Sequence, residues 1–228
     1  MISVIIPALD AERTLAATLE PLVPAAVDGL VREVIVVDGG SSDATAAIAD
    51  QAGARVLVRS GGRGYQLLAG ARQARFPWLL FLHADTVLER GWQQEAQSFI
   101  TRAGTGVRPA AATFRFALDD IGFAPRLLER VVALRCALFR LPYGDQGLLI
   151  PASLYAAIGG YRPIPLMEDV DLLKRLRRGQ VVMLRSRALT DALRYQQEGY
   201  LRRPARNLSV FTLYHLGVPT RALVRLYR

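Results

Sequence analysis

Four short, nearly unbroken apolar runs, each closed by a polar turn, constrain this chain more than any other feature. They are residues 3–6 (SVII), 33–37 (EVIVV), 54–58 (ARVLV) and 78–82 (WLLFL). Such runs offer no face to water, so they read as strands buried on both sides, the pattern of a parallel sheet covered by helices. Helical patterns lie between them. One starts at about Glu12 and is broken or kinked by Pro21 and Pro24; one runs roughly from 43 to 52, after the capping residues Ser41, Ser42 and Asp43; one runs from about 65 to 75, after the basic loop 59–64. Strand, turn and helix in alternation predict an α/β fold with a mostly parallel, Rossmann-like sheet and helices on both faces.

Parallel strands share one rim at their C-terminal ends, and ligands of open α/β sheets bind there. Asp10, Asp38 and Asp85 follow the first, second and fourth runs, so all three acids are expected on that rim. His83 stands two residues before Asp85, close enough for both to flank one ligand. Carboxylates that converge repel one another unless a cation or hydrogen-bond donors lie between them. Taken alone, Asp85 reads almost as well as the cap of a turn. No G-x-x-x-x-G-K-[ST] is present, and the G-x-G at 62–64 follows the third strand, so Walker-type and dinucleotide-binding sites are disfavoured.

The second half changes character. Residues 107–118 alternate loosely as a strand, with Phe114, Phe116 and Leu118 on one side. Residues 123–141 predict a long amphipathic helix with Leu127, Val131, Leu134 and Leu138 as its apolar stripe, Arg126 and Arg130 on another face, and Pro142 and Gly144 at its end. The turn Gly144-Asp145-Gln146-Gly147 then either presents two polar side chains to a ligand or is an ordinary β-turn. Residues 167–171 (MEDVD) open a further helix to about Arg178. Asp169 would sit at its N-terminus, where the dipole favours a carboxylate.

The net charge is +9, but residues 1–173 hold 16 basic and 18 acidic side chains while 174–228 hold 13 and 2. The basicity is therefore C-terminal. It points to an anionic partner or to a solvated arginine-rich face. Nucleic acid is disfavoured, because no reading motif accompanies the arginines and aromatic residues are not interleaved with them. The single cysteine, Cys136, rules out a disulfide framework and fits a cytoplasmic protein. No signal sequence is expected, and no apolar run approaches the ~20 residues that span a bilayer.

The segments SVIIPALDAERTL, EVIVVDGGSSDAT, the Gly62-Arg63-Gly64 loop with GARQA, LFLHADT and MEDVDLLKRL resemble, in that order, the family 2 glycosyltransferases of GT-A fold. The resemblance covers roughly residues 2–185 and is nearest to short bacterial members with HAD where most carry D-x-D and with a GDQG turn. It implies one GT-A domain over 1–185, with a donor half of about 1–105 and an acceptor half of about 106–185, and an inverting, metal-dependent sugar transfer. Pro7, Ala8, Leu9, Asp10 and Asp38 would then line the base and ribose of a nucleotide-sugar donor, a UDP-sugar by preference or a GDP-sugar. Gly64, Arg72, His83 and Ala84 would complete that site. Asp85 would hold the Mg²⁺ or Mn²⁺ that takes up charge from the leaving diphosphate, with Arg63 and Arg72 as further clamps. Asp169 would be the general base, with Asp145, Gln146 and Glu168 toward the acceptor or sugar.

The chain also departs from the family pattern. Gly39 stands where a second Asp is usual, and His83 replaces the first Asp of D-x-D. Q-x-x-R-W is not evident after 185, which favours single transfers over polymerisation. An inactive nucleotide-sugar-binding or scaffolding protein is the alternative, against which the retention of Asp85 and Asp169 weighs. Residues 186–228 are expected to form a basic amphipathic extension. Its segment 202–228, with six arginines among leucines and valines and a break at Gly217 and Pro219, predicts an element at the inner face of an anionic membrane, near a lipid-linked acceptor. Packing of the same leucines on the domain is the competing expectation. The sequence sets no oligomeric state.

Overall fold

The computed structural model describes residues 1–106, 109–139, 144–177 and 179–227. Among these, eight strands form one sheet: β1 (Ile2–Ala8), β2 (Val31–Asp38), β3 (Arg55–Val58), β4 (Trp78–Phe81), β5 (Thr86–Leu88), β6 (Ala111–Asp119), β7 (Leu148–Pro151) and β8 (Val181–Asp191). Their order is β3-β2-β1-β4-β7-β6-β8-β5. The four apolar runs become β1 to β4, and β1 lies between β2 and β4 with all pairs parallel; β3, at the edge of the sheet, is exposed at Arg55 and Val58 and is not buried on both sides as expected. Beyond β4 the directions are mixed: β7 is antiparallel to β4 and β6, β8 is parallel to β6, and β5 is antiparallel to β8. The sheet is mostly parallel, as expected.

Side-chain alternation divides the core into two layers. Ile2, Val4 and Ile6 of β1 pack with Leu15, Leu19, Trp92 and Phe99 on one face. Ile5 packs with Ile35, Val37, Leu67 and Leu172 on the other. The helical pattern after Glu12 is split into Leu15–Leu19 and Leu22–Val27. Pro21 caps the second helix and Pro24 lies in its first turn, where a missing N–H costs nothing.

The helix Arg63–Gln73 crosses the sheet near β1 and β2. A Cβ at Gly64 would lie 2.3 Å from Ile164 O and 2.6 Å from Arg162 O, so this glycine lets the backbone of residues 162–164 rest against the helix. Gly64→Ala is expected to cost about 1–3 kcal/mol, because both clashing atoms are backbone. A lowered urea midpoint with unchanged slope checks this.

Three features differ from the sequence reading. The helix Phe123–Phe139 buries Leu128, Val132 and Cys136 against Phe116, Leu118 and Tyr195, whereas Leu127, Val131 and Leu134 face solvent. The helix carries two apolar stripes, and among the described residues only one has a neighbour to cover it. The side chain of Leu138, with Val107, Pro142 and the end of the next helix at Arg178, lies outside the described residues. Second, the boundary drawn after residue 185 falls inside β8, which pairs with both β6 and β5. Third, the C-terminal helices Leu193–Glu198, Arg202–His215 and Thr220–Tyr227 fold back, with Val210 and Leu223 buried against Leu166. Among the described residues, no helix is long and apolar enough to cross a membrane.

Candidate active site

Two cavities meet at the C-terminal ends of β1 and β4. The larger, about 730 Å³, is bordered by Pro7, Ala8, Leu9 and Asp10 after β1 and by His83, Ala84 and Asp85 after β4. The smaller, about 110 Å³, contains Asp145, Asp169, Thr190, Arg203 and Asn207. Arg63, His83, Asp85, Asp191 and Arg194 border both. The larger volume lies in the range that holds a cofactor-sized ligand. Asp10 (φ +47°) and Met167 (φ +64°), the non-glycine residues with left-handed backbone among the described residues, each border one of these cavities. Strain of this kind is held where surrounding structure enforces it, often at ligand sites.

The turn after β2 is built by Asp38, whose buried carboxylate accepts hydrogen bonds from the N–H groups of Gly40 and Ser41 and from the Ser41 hydroxyl. Asp38 therefore shapes the loop and does not itself border the cleft. Gly39 does border it, and a Cβ there would lie 3.0 Å from Gln66 Nε2 and 3.3 Å from the Leu9 side chain. Gln66 holds this ground by donating to Ala8 O and Val37 O at 2.8 and 2.9 Å. The place of the family's second Asp is taken up by an amide that ties β1 to β2.

Around Asp169 the geometry is tight. Its Oδ2 accepts the Gly144 N–H at 2.7 Å and its Oδ1 the Val170 N–H at 2.7 Å. A Cβ on Gly144 would come within 2.7 Å of His83 Nε2 and 3.3 Å of Asp169 Oδ2, so only a glycine lets imidazole, turn and carboxylate meet. Burial, with Arg63 nearby, pushes the His83 imidazole down to about 4 and leaves it neutral at physiological pH. Burial pushes the Asp145 carboxyl up to about 6, opposed by Arg135 and reinforced by Asp169 and Asp85. The acids that crowd Asp85 are thus Asp145 and Asp169, and not Asp38, which was expected on the same rim.

Other expected site residues are placed elsewhere. Glu168 is buried and lies 3.1 Å from Arg63 Nε, with its carboxyl pushed up to about 7 by burial and lowered in part by Arg63. It positions Arg63 and borders neither cavity. Gln146 is buried, donating to Phe114 O at 3.0 Å, and serves to pin the turn to β6. Arg72 is exposed in the last turn of the helix Arg63–Gln73, about 13 Å along the axis from Arg63. Gly64 is a packing residue. Conversely, Asp191, Arg194, Thr190, Arg203 and Asn207 border the cavities without having been singled out. A signal for the first two was present, since residues 191–195 (DALRY) keep the spacing of Q-x-x-R-W with Asp for Gln and Tyr for Trp.

The sequence model of glycosyl transferase family 2 matches residues 3–131, more than half of the chain. The chain belongs to glycosyl transferase family 2. This family 2 member is 38% identical over 95 residues to glucosyl-3-phosphoglycerate synthase of Mycolicibacterium paratuberculosis, a match covering 38% of the chain and 29% of that protein. It is 48% identical over 58 residues to the Mycobacterium tuberculosis protein of the same name, covering 25% and 18%. It thus spans less than a third of the length of these curated relatives. Among solved structures it is similar to the M. tuberculosis synthase in complex with Mn²⁺, UDP and phosphoglyceric acid, with TM-score 0.55, 22% identity, and 80% and 67% of the two chains covered. It is also similar to S. aureus TarS, with TM-score 0.61, 17% identity, and 86% and 38% covered. At these identities the likeness is one of fold, and it agrees with the GT-A architecture.

Proposed function

We propose that this family 2 member moves a sugar, with inversion, from a nucleotide-sugar donor to an acceptor hydroxyl with the help of a divalent cation. The observation that carries the reading is the junction of the two cavities. Asp85 borders both, and Asp169 stands in the smaller one across the junction from the larger. A donor in the large cleft would present its diphosphate at Asp85, Arg63 and Arg194, and its sugar toward Asp169. Asp169, oriented by two backbone N–H groups, would take the proton of the attacking hydroxyl. A solved complex of TarS with UDP-GlcNAc and the synthase complex with Mn²⁺ and UDP favour a UDP-sugar and Mn²⁺ here.

The residues present fit such a cation. Among the described residues no three His, Cys, Asp or Glu side chains are grouped to cage an ion. A hard cation that works on phosphates needs only one or two carboxylates, with substrate oxygens completing its shell. Asp85 would hold it, and the like charges of Asp145 and Asp169 close by add to its attraction. When bound, the cation supplies Lewis-acid stabilisation of the departing diphosphate. Thermal shift against UDP- and GDP-sugars, with and without Mn²⁺, followed by a nucleotide-release assay, tests the reading. It fails if no nucleotide binds, and the scaffold alternative gains if nucleotide binds without turnover across an acceptor panel.

A second proposal concerns attachment to an anionic membrane surface. Ile121 and Phe123 are 94% and 80% exposed, and Leu127, Val131 and Leu134 continue the same stripe beside exposed Arg126 and Arg130. Leu208, Leu216 and Leu226 of the C-terminal helices are also exposed. Apolar side chains flanked by arginines suit an interface of lipid headgroups, each cation there worth ~1 kcal/mol. The protein is expected to co-sediment with anionic vesicles and to be released by moderate salt. The pair Phe123→Ser and Leu127→Gln should weaken sedimentation. No sedimentation at low salt would end this reading and remove the case for a lipid-linked acceptor.

A further inference from the structure

The small cavity gathers polar atoms that the protein itself does not satisfy. Asp145 Oδ1, Thr190 Oγ1, Arg203 Nε and Asn207 Oδ1 are all buried without a hydrogen-bond partner, and all four residues border this one cavity. Native proteins leave few such atoms, because each forfeits its hydration for nothing. Four around one space call for a polar ligand.

The arrangement of charge says which kind. Asp145 and Asp169 come from the turn after the helix Phe123–Phe139 and from the start of the helix Glu168–Lys174, and they form one wall. Arg203 and Asn207 sit one helical turn apart on the helix Arg202–His215, with Thr190 at the end of β8, and form the other. Arg203 is 8% exposed, and it is held in place by Glu198 at 2.7 Å from its Nη1 and by the ring of Tyr195, 5.1 Å from its Cζ. Glu198 also pairs with Arg206, so it does not neutralise both guanidinium groups. A guanidinium Nε can only donate, and its charge favours an anionic oxygen; a threonine hydroxyl can donate beside it. The opposite wall is acceptor-rich and suits hydroxyl groups.

We propose that the acceptor is a small hydroxylated anion, its phosphate or carboxylate held by Arg203 with Thr190 while its hydroxyl groups face Asp169 and the accepting Oδ1 of Asn207. The proposal rests on the transferase reading, and it assigns the roof of the site to residues beyond β8. The site takes the anionic group whether it belongs to a free metabolite or to a lipid headgroup. A cavity of about 110 Å³ accommodates the charged end of either and not a bulky one.

The test uses the full-length protein saturated with UDP and Mn²⁺, so that the donor cleft is occupied, and titrates inorganic phosphate, glycerol 3-phosphate and glycerol by calorimetry and thermal shift. Both phosphates are expected to bind and glycerol not to. Arg203→Gln should weaken phosphate binding about tenfold or more while leaving UDP affinity unchanged. Asn207→Asp, at a partly buried position where the change of shape is minimal, should abolish it by placing a like charge beside the anion. Vesicles of phosphatidylglycerol, whose headgroup carries both a phosphate and free hydroxyls, would assign the lipid source if they displace glycerol 3-phosphate and the soluble one if they do not. The proposal is overturned if phosphate fails to bind a protein that binds UDP, if it competes with UDP, or if both variants bind it as the native protein does. Should UDP itself fail to bind, the donor reading falls, and the same phosphate titration with the same variants still decides whether the roof is an anion site.

Discussion

Asp169→Asn is expected to lower turnover by about 10²-fold or more while UDP and Mn²⁺ bind as before. The substitution keeps size and shape, and its amide oxygen still accepts one of the two N–H groups, from Gly144 and Val170, that orient the carboxylate. What it removes is the capacity to accept a proton. The measurement is nucleotide release under saturating donor, alongside UDP titration of the same variant. Asp145, which borders the small cavity and not the larger one, provides the control. If Asp145→Asn abolishes turnover and Asp169→Asn does not, the base is Asp145, whose carboxyl is pushed up to about 6 by burial. If Asp169→Asn loses UDP affinity in step with turnover, Asp169 belongs to the donor or cation site instead.

Asp85→Ala is expected to remove the increment that Mn²⁺ adds to UDP affinity and, with it, most of the turnover. The fold should survive. Asp85 is half-buried at the junction, and the bond that ties it to β8 is made by its backbone carbonyl, which accepts the Asp191 N–H at 3.0 Å whatever the side chain. Titration of UDP with and without Mn²⁺ isolates the effect, because affinity in the absence of metal should be little changed. An undiminished increment would move the cation to Asp191, the other carboxylate that borders both cavities.

The donor side of the molecule was legible because its signals are local. Each apolar run is uniform enough to read as a strand, although the third, at the sheet edge, is left exposed at Arg55 and Val58; a residue following such a strand must stand on the rim, and Asp10 and Asp85 are found there. Asp38 follows the same rule in position and escapes it in orientation, because the Ser41 hydroxyl and two backbone N–H groups take up its carboxylate. The acceptor side was less legible because partners there are distant in sequence. The strand Thr86–Leu88 is only three residues long and is a strand solely because β8 pairs with it. The face that the helix Phe123–Phe139 buries depends on Phe116, Leu118 and Tyr195, and a periodicity shared by two stripes does not choose between them. Arg203 and Asn207 gain their place through the packing of Val210 and Leu223 on Leu166 and, for Arg203, through Glu198 and Tyr195, none of which a motif announces.

The pairing of Thr86 with Thr190 has a bearing on how the molecule comes into being. Strands β1 to β4 can assemble from neighbouring stretches of chain, and they carry most of the donor cleft with them. The strand after Asp85 has to wait for β8 before it acquires a partner, and the walls around Asp169 wait longer still. During synthesis, a ribosome-bound intermediate would therefore own a nucleotide pocket before it owns anywhere to place the molecule that receives the sugar. Non-local pairing of this kind slows folding, since loop closure must be met before contacts reward it. Nucleotide present in the cell could bind that half-made cleft and hold its edge in register while the remainder is translated.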